Sequence, residues 1–322
     1  MKNICIALLF GFMSCSLFKK NDHNEVAKKE DLNILSNKID SLETTADVIE
    51  FAKTVNPKFK SYRAGNMRIK STDSIANDLN CNGIFKKWNV LNWEKKDLNN
   101  DGKTDLIFHA YWYNNYYPYA IMDMGSNVFK LFGFSTGSID DCEFIKPFKI
   151  GNSNELHFLH SKSIPNNGFT DLPRVMQIDT LTYKFNDFIE INTGNKLRYD
   201  VISIEINTNG CFGDCPSYDL KINQDGQADF KGKSFMNFEG SSTKKIALSY
   251  FTELVKILEY IKVKELNNNY DVDWTDSQTT ILKITFSDGS VKEIRDYGMQ
   301  GTFGLRLIYS NLFKIASATN WE

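Results

Sequence analysis

What this sequence lacks excludes several classes of protein. The 322 residues carry a net charge of only −2, and no basic stripe dominates any part of the chain. Nucleic-acid binding needs such a basic footprint, so we predict no nucleic-acid partner. The zinc-protease motif His-Glu-x-x-His does not occur. No repeat of the length used by propellers and solenoids is present, which excludes those architectures.

Apolar runs long enough to cross a bilayer are also lacking, and the strongest apolar segment is N-terminal. Residues 1–14 begin with Met1-Lys2, continue with apolar residues and end at Ser14, which is typical of a secretory signal. The Ser14-Cys15 junction resembles the lipobox of bacterial lipoproteins, which implies that Cys15 is lipidated and anchors the chain to a membrane. An ordinary cleaved signal peptide is the alternative.

Residues 15–31 are charged and featureless, and we interpret them as a tether. Lys19 and Lys20 follow the cysteine instead of an acidic run. Acidic runs at this place resemble surface-export signals in some gram-negative lipoproteins. The sequence therefore favours the periplasmic side of the cell envelope over the cell surface.

The remaining length suffices for two domains, which we place at residues 32–195 and 197–322. The first is predicted to be β-rich with short helices. Helical spacing covers residues 33–55 with a cap at Thr44 or Thr45, and the stretch Ser71-Thr72-Asp73-Ser74 is predicted to cap a short helix that runs through Leu79. Strand patterns follow from Leu106 onward, and residues 182–191 read as one strand.

One loop of the first domain has the pattern of a calcium site. Oxygen ligands alternate around Gly102, whose freedom to adopt positive φ lets the chain turn. The ligands would be Asp97, Asn99, Asp101, the backbone carbonyl of Lys103, and Asp105. The loop resembles those of FG-GAP and VCBS-type repeats of extracellular β proteins, which implies a structural Ca²⁺. An Asn/Asp-rich hairpin turn without a metal is the alternative.

The second domain alternates strands and helices in the order β-β-β-α-β-β-α. Tyr218, Leu220 and Ile222 share one face of a strand, a turn at residues 223–226 follows, and Ser249 is predicted to cap a helix. Hairpins with intervening helices predict an antiparallel sheet covered by helices on one face, so the whole chain belongs to the α+β class.

The segment Cys211-Phe212-Gly213-Asp214-Cys215-Pro216-Ser217-Tyr218 opens this domain. Together with Gly226, Gly232 and later residues it resembles a family of uncharacterised domains with a CFGxCPxY signature, found in secreted proteins and lipoproteins of gram-negative bacteria. The resemblance covers about 120 residues. It implies an exported protein and no particular activity.

The cysteines beyond Cys15 are four in number, which suits disulfides in an exported chain. We predict a structural disulfide between Cys211 and Cys215, and a second between Cys81 and Cys142 by subtraction. A redox-active Cys211–Cys215 pair is an alternative. A zinc site there would need two more ligands, and this domain has no histidine.

These features favour a non-catalytic envelope lipoprotein that binds a partner protein or a glycan. Its candidate contact residues are the exposed-type aromatics Tyr111, Trp112, Tyr113, Tyr116 and Tyr117. Two alternatives remain: an envelope hydrolase that uses a carboxylate pair, and a thiol-disulfide protein that uses Cys211 and Cys215.

Overall fold

Three sheets organise the residues that the structure describes, one with seven strands and two with four. The computed structural model describes residues 38–60, 66–78, 84–136, 142–163, 174–272 and 274–322. The predicted α+β class is confirmed, because sheet dominates, the pairing is antiparallel apart from one short edge strand, and the helices are few. No helix within those ranges is both long and apolar enough to span a membrane.

The N-terminal helices are short, and the first two begin at polar caps. They are α1 (Thr45–Val55), α2 (Thr72–Asp78) and α3 (Ile84–Lys87). Thr44 caps α1 as predicted, because its hydroxyl accepts the Asp47 N–H while the Asp47 carboxylate accepts the Thr44 N–H. The Ser71 hydroxyl accepts the Ser74 N–H in the same way at α2. The helical spacing predicted before Thr44 is wrong for residues 38–41, which form a turn.

The first four-stranded sheet has the order β1-β2-β3-β4. Its strands are β1 (Trp93–Lys96), β2 (Asp105–Trp112), β3 (Asn115–Asp123) and β4 (Phe129–Gly133). Tyr113 and Asn114 form the turn between β2 and β3, and both have positive φ, as two-residue hairpin turns require. Helix α1 packs on this sheet, where Phe51 meets Phe129 edge to face at 5.0 Å.

The second four-stranded sheet has the order β5-β6-β7-β8. Its strands are β5 (Glu143–Ile150), β6 (Ser153–Ser163), β7 (Arg174–Lys184) and β8 (Asp187–Glu190). The single strand predicted over residues 182–191 is wrong. Phe185 and Asn186 both have positive φ and turn the chain between β7 and β8, so this segment is a hairpin.

The seven-stranded sheet has the order β12-β11-β10-β9-β14-β15-β13. Its strands are β9 (Val201–Thr208), β10 (Ser217–Asn223), β11 (Gln227–Ser234), β12 (Gly240–Lys245), β13 (Asn269–Asp271), β14 (Thr279–Phe286) and β15 (Val291–Tyr297). The edge strands β12 and β13 are additions to the predicted order. Both strands contain few apolar residues, so the pattern of apolar residues on which the prediction was based did not reveal them.

Two helices cover one face of that sheet, α4 (Leu248–Tyr260) and α5 (Phe303–Ala318). Tyr218, Leu220 and Ile222 are buried beneath them, which confirms the predicted core face of β10. The predicted cap at Ser249 is wrong: Ala247 occupies the N-cap position of α4 and forms no side-chain hydrogen bond. The opposite face of the sheet is polar and carries ion pairs such as Lys221–Glu205 at 3.1 Å.

Strand β8 joins the N-terminal sheets to α5. Both oxygens of the Glu190 carboxylate accept backbone N–H groups in the first turn of α5, from Phe303 at 2.5 Å and Gly304 at 2.9 Å. A carboxylate at this place suits the positive end of the helix dipole. Phe303 also contacts Phe158 of β6 edge to face at 5.4 Å. The helix is therefore fixed at its start by residues more than a hundred positions earlier in the chain.

Candidate binding site at the disulfide-closed loop

A disulfide between Cys211 and Cys215 closes the turn that leads into β10, as predicted. The Cα atoms of the two cysteines are 5.7 Å apart. Between them, Gly213 has a φ of +143°, which residues with a side chain rarely adopt. Its N–H donates to the Cys211 carbonyl at 3.0 Å. The disulfide and this hydrogen bond together hold a three-residue loop in one shape.

Neighbouring strands fix the loop further. The Phe212 N–H donates to the Asp276 carbonyl at 3.1 Å. The Gln278 side-chain amide donates to the carbonyls of Asn209 and Pro216, each at 2.6 Å. The Thr208 hydroxyl accepts the Tyr218 N–H at 2.9 Å. The loop is thus held at its start, at its tip and where β10 begins.

The tip of this rigid loop presents Phe212 to solvent. With 89% of its surface exposed, it is the most exposed large hydrophobic side chain in the described part of the protein. Single exposed hydrophobic residues are ordinary on protein surfaces. What distinguishes Phe212 is that its backbone is held by a covalent cross-link. An anchor of this kind loses little conformational entropy when a partner covers it.

A cleft of about 310 Å³ lies beside the loop, between the start of β10 and one face of α5. The side chains that line it are mostly apolar or aromatic: Thr208, Pro216, Tyr218, Gln278, Met299, Arg306, Tyr309, Ser310 and Phe313. Burial raises the pKa of Tyr218 and is the main cause that raises the pKa of Tyr309, so both phenols stay protonated. Phe313 at its rim is 38% exposed.

No histidine, cysteine or carboxylate is among the side chains that line the cleft. The neighbouring disulfide also lacks the feature that activates thiols in oxidoreductases. Pro216 leads into the strand β10, whereas a reactive cysteine usually lies at a helix N-terminus that stabilises its thiolate.

In the loop predicted to bind calcium, backbone N–H groups donate to the side chain of the first residue, Asp97. The Asp97 carboxylate accepts the N–H of Asp101 at 3.2 Å and of Gly102 at 2.9 Å. The Asn99 side chain also accepts the Asp101 N–H, at 3.2 Å. Gly102 has a φ of +84° and open space around it, as the prediction requires. Alternate side chains are therefore turned toward the inside of the loop.

The remaining carboxylates of this loop are engaged by other groups. The Lys103 ammonium is 2.7 Å from Asp101 Oδ2. Asp105 is fully buried and accepts the N–H groups of Leu98 and Asp123, both at 2.8 Å. Burial is the main cause that raises the pKa of Asp105 to about 7, and the charges of Asp101 and Asp97 add to it.

A test of fit for calcium gives a divided result. The oxygen donors and the turn around Gly102 suit a hard cation. Across the residues described here, however, no group of three or more histidine, cysteine or carboxylate side chains is arranged to hold a metal ion. A cation would have to displace the Lys103 ammonium from Asp101.

The predicted aromatic contact residues largely pack on one another. Tyr116 is buried, its hydroxyl donates to Asp78 at 2.5 Å, and its ring lies 5.1 Å from that of Tyr111. The Lys70 ammonium lies 3.7 Å from the centre of the Tyr111 ring. Trp112 and Tyr117 are partly buried. Tyr113, at the hairpin turn, is 58% exposed.

The other predicted cysteine sites are only partly described. Cys142 is buried and disulfide-bonded. Cys81, its predicted partner, lies outside the described residues, as do Cys15 and the segments 1–14 and 15–31. The pairing of Cys81 with Cys142 and the lipidation of Cys15 therefore stay predictions.

Two histidines of the N-terminal sheets, His109 and His160, contact polar groups of neighbouring residues. His109 is buried, its Nδ1 is 3.0 Å from the Leu91 carbonyl, and its Nε2 accepts the Ile145 N–H at 3.2 Å. Both ring nitrogens are therefore used, with the proton on Nδ1. Burial lowers the pKa of His109 to about 4. His160 Nε2 lies 2.9 Å from Asp179 Oδ2, on the next strand.

Sequence analysis missed one spacing that bears on the hydrolase alternative. Residues 133–137 read Gly-Phe-Ser-Thr-Gly, which has the Gly-x-Ser-x-Gly spacing of a nucleophile elbow. Such an elbow needs a helix directly after the serine. Ser135 follows β4, residues 134–136 are not helical, and residues 137–141 lie outside the described part. His109 is excluded as its base because both ring nitrogens are occupied.

Comparison with known families supports an uncharacterised domain in the C-terminal region. Residues 202–316 match the family model described as "Domain of unknown function (DUF6438)". This segment includes the disulfide-closed loop, and it holds every residue that lines the cleft. No curated protein and no solved structure matches the chain.

Proposed function

We propose that this protein is a non-catalytic lipoprotein of the cell envelope that binds a partner protein through Phe212 and the cleft beside it. The observation that carries the proposal is the exposed Phe212 side chain on a cross-linked loop. Aromatic residues on rigid supports are the usual anchors of protein interfaces. Phe313 on the rim of the cleft supplies a second exposed aromatic side chain on the same side of the domain.

A photo-crosslinking experiment in the native cells tests this proposal. A photoreactive phenylalanine analogue replaces Phe212 in the full chain, and the same analogue replaces Phe235 as a matched control. Phe235 is also a loop residue of this domain and is 55% exposed. We expect a discrete, protease-sensitive adduct from position 212 that position 235 does not give.

Other outcomes would decide against the proposal. The same adducts from both positions, or none from position 212, would refute a partner site at the loop. A protease-resistant adduct that glycosidases remove would instead favour a glycan partner. Of the aromatic residues predicted to contact such a partner, Tyr113 is the exposed one.

The membrane anchor is the second part of the proposal. It rests on the apolar segment that ends at Ser14-Cys15 and on the polar residues that follow. The variant Cys15→Ala should remain an unlipidated precursor and leave the membrane fraction. Incorporation of labelled fatty acid into that variant would disprove the anchor at Cys15.

We also propose that the loop from Asp97 to Asp105 holds a structural Ca²⁺. Support comes from the side chains turned inward around Gly102, and the Lys103 ammonium is the group that Ca²⁺ must displace. Millimolar Ca²⁺ should raise the melting temperature, since a ligand that binds only the native state stabilises it. Lys103→Ala should strengthen this response and Asp97→Ala should abolish it. No change in the wild-type chain would mean that the loop is only a turn.

A further inference from the structure

A second cavity, of about 350 Å³, lies between α5, β4 and β8, on the other side of the α5 turn that borders the cleft. Arg306 and Ser310 line both this cavity and the cleft described above. Lys314 continues their stripe along the helix, because residues four apart lie on one face. The cavity therefore receives side chains from the matched C-terminal domain and from the N-terminal sheets alike.

Arg306 is the unusual member of this set. Arg306 is partly buried, which lowers the pKa of its guanidinium but leaves it charged. Within the described residues it forms no side-chain hydrogen bond and no ion pair, and its described contact is with the Phe303 ring, 4.8 Å from the ring centre. Its guanidinium donors are therefore available to a ligand that enters the cavity.

The acidic groups around Arg306 are already used by other donors. Glu190 accepts the two N–H groups at the start of α5. Glu143 accepts the N–H and the hydroxyl of Thr136, at 2.8 and 2.7 Å. Asp296 accepts the N–H groups of Gln300 and Gly301. Their charges favour the protonated guanidinium, but none of them forms an ion pair with it.

Two lysines add positive charge at the same cavity. Lys130 donates to the Asn186 carbonyl at 2.6 Å, which leaves two of its three N–H bonds for other acceptors. Burial lowers the pKa of Lys130, and the charge of Lys314 lowers it further. The facing carboxylate is Asp187, which accepts the Phe188 N–H at 2.8 Å and whose pKa is raised by burial. Among the side chains that line the cavity, three are cationic and one, that of Asp187, is a carboxylate.

We propose that this cavity binds a small oxyanion, a phosphate or carboxylate that carries an apolar group. The guanidinium of Arg306 would meet the oxyanion in its planar two-donor geometry, with Lys130 and Lys314 at the sides. Phe132, Phe134 and Phe303 give the cavity an apolar wall for the rest of the ligand. Its volume is in the range of small-molecule sites. This site shares Arg306 and Ser310 with the cleft of the proposed partner contact, but Phe212 does not line it.

Binding of simple probes to the full chain in a non-ionic detergent tests the proposal. Saturation-transfer NMR follows phenyl phosphate, benzoate and neutral benzyl alcohol, and phosphorus NMR follows inorganic phosphate. We expect saturable binding of at least one of the two aromatic anions, and none of benzyl alcohol. The stronger of phenyl phosphate and benzoate identifies the ligand chemistry. Weaker binding of inorganic phosphate than of phenyl phosphate would show the role of the apolar wall.

Variants assign that binding to the cavity. Arg306→Gln should weaken it about 10- to 100-fold, as expected for a lost hydrogen bond to a charged group, and Arg306→Lys should recover part of it. Lys314 is exposed at the edge of the same cavity, so Lys314→Glu should also weaken binding. This variant tests the site if Arg306→Gln does not fold. Lys256→Glu makes the same charge change on α4, away from the cavity, and should leave binding unchanged.

The proposal is overturned if no anion binds in the millimolar range, or if benzyl alcohol binds as well as the anions. It is also overturned if Lys314→Glu and Lys256→Glu weaken binding equally. None of these results depends on the partner contact, since the Phe212 adduct is scored independently in cells.

Discussion

The N-terminal and C-terminal regions bury different kinds of side chain. Among the described residues, the C-terminal region has one continuous hydrophobic core, and its one buried carboxyl group is that of Asp296. The N-terminal region divides its core into three clusters and buries a histidine and four carboxyl groups: Asp105, His109, Asp123, Glu143 and Glu155. We therefore expect packing to determine the stability of the C-terminal region, and pH to act mainly on the N-terminal one.

The largest expected effect is on the C-terminal core. Leu282 lies in β14 and is fully buried beneath α4 and α5. Leu282→Ala should cost about 2–5 kcal/mol, because it removes buried methyl groups and leaves a cavity. Hydrogen exchange should show lost protection over β9–β15 and little change over β5–β8. Equal loss in both regions would show that the two cores unfold as one, and the comparison would fail.

The pH response of the N-terminal region is the second test. The pKa of His109 is lowered to about 4 in the folded protein, so between about pH 6.5 and 4 the unfolded chain binds a proton there that the folded chain does not. Stability contributed by the neutral imidazole is therefore lost as the pH falls through this window, on the order of 3 kcal/mol in total.

Asp105 acts in the opposite direction and has to be separated from His109. Its folded pKa is raised to about 7, so its contribution rises as the pH falls. The difference between the wild-type chain and His109→Gln isolates the histidine. Gln does not titrate, so the free energy of unfolding of the variant should be lower than that of the wild type at neutral pH and approach it near pH 4. Denaturant unfolding measures this free energy. A difference that is constant with pH would contradict the buried neutral histidine.

Sequence patterns predicted elements where the pattern is local. The Thr44 cap, the alternation of Tyr218, Leu220 and Ile222, and the turn before Gly226 each depend on a few adjacent residues. The prediction failed where a residue adopts a backbone against its preference. Phe185 is a strand-forming residue with positive φ in a turn, and this is why β7 and β8 read as one strand.

The candidate sites were less accessible to such reasoning. The disulfide was predicted from the spacing of Cys211 and Cys215 around a glycine, whereas the exposure of Phe212 was not predicted. The cavity at Arg306 was not predicted either, because it forms where α5 meets β4 and β8, far away in the chain. The tyrosines of β2 and β3 are the opposite case. They were predicted to form a contact surface, but they mainly pack within the fold.

The third prediction concerns the contact between Glu190 of β8 and the first turn of α5, which links the two regions. Glu190→Gln replaces a carboxylate that accepts two N–H groups of α5 by a group with a single acceptor oxygen. One buried N–H then loses its acceptor, which should cost about 1–3 kcal/mol. Chemical denaturation measures the loss. The matched variant is Glu259→Gln, whose carboxylate pairs with the exposed Arg198 and accepts the Tyr199 N–H. An equal loss in both would argue against a special role of β8.

The smallest effect should come from the disulfide, although the candidate partner site depends on it. A cross-link that closes so short a loop constrains the unfolded chain little, so the Cys211→Ser, Cys215→Ser variant should lose less than the usual ~2–4 kcal/mol. The hydrogen bonds of Gln278 and Thr208 to this segment remain, and they should keep β10 in register.

The partner contact should respond more than stability does. Without the cross-link, Phe212 samples several positions, and fixing one of them on binding costs entropy that the wild-type loop does not lose. The double Ser variant should therefore melt only slightly earlier yet give a much weaker photo-adduct at position 212. If the adduct is unchanged, the disulfide serves only the fold. If the thiols of the reduced wild-type chain react rapidly at neutral pH with a potential in the thioredoxin range or above, the redox alternative replaces the structural one.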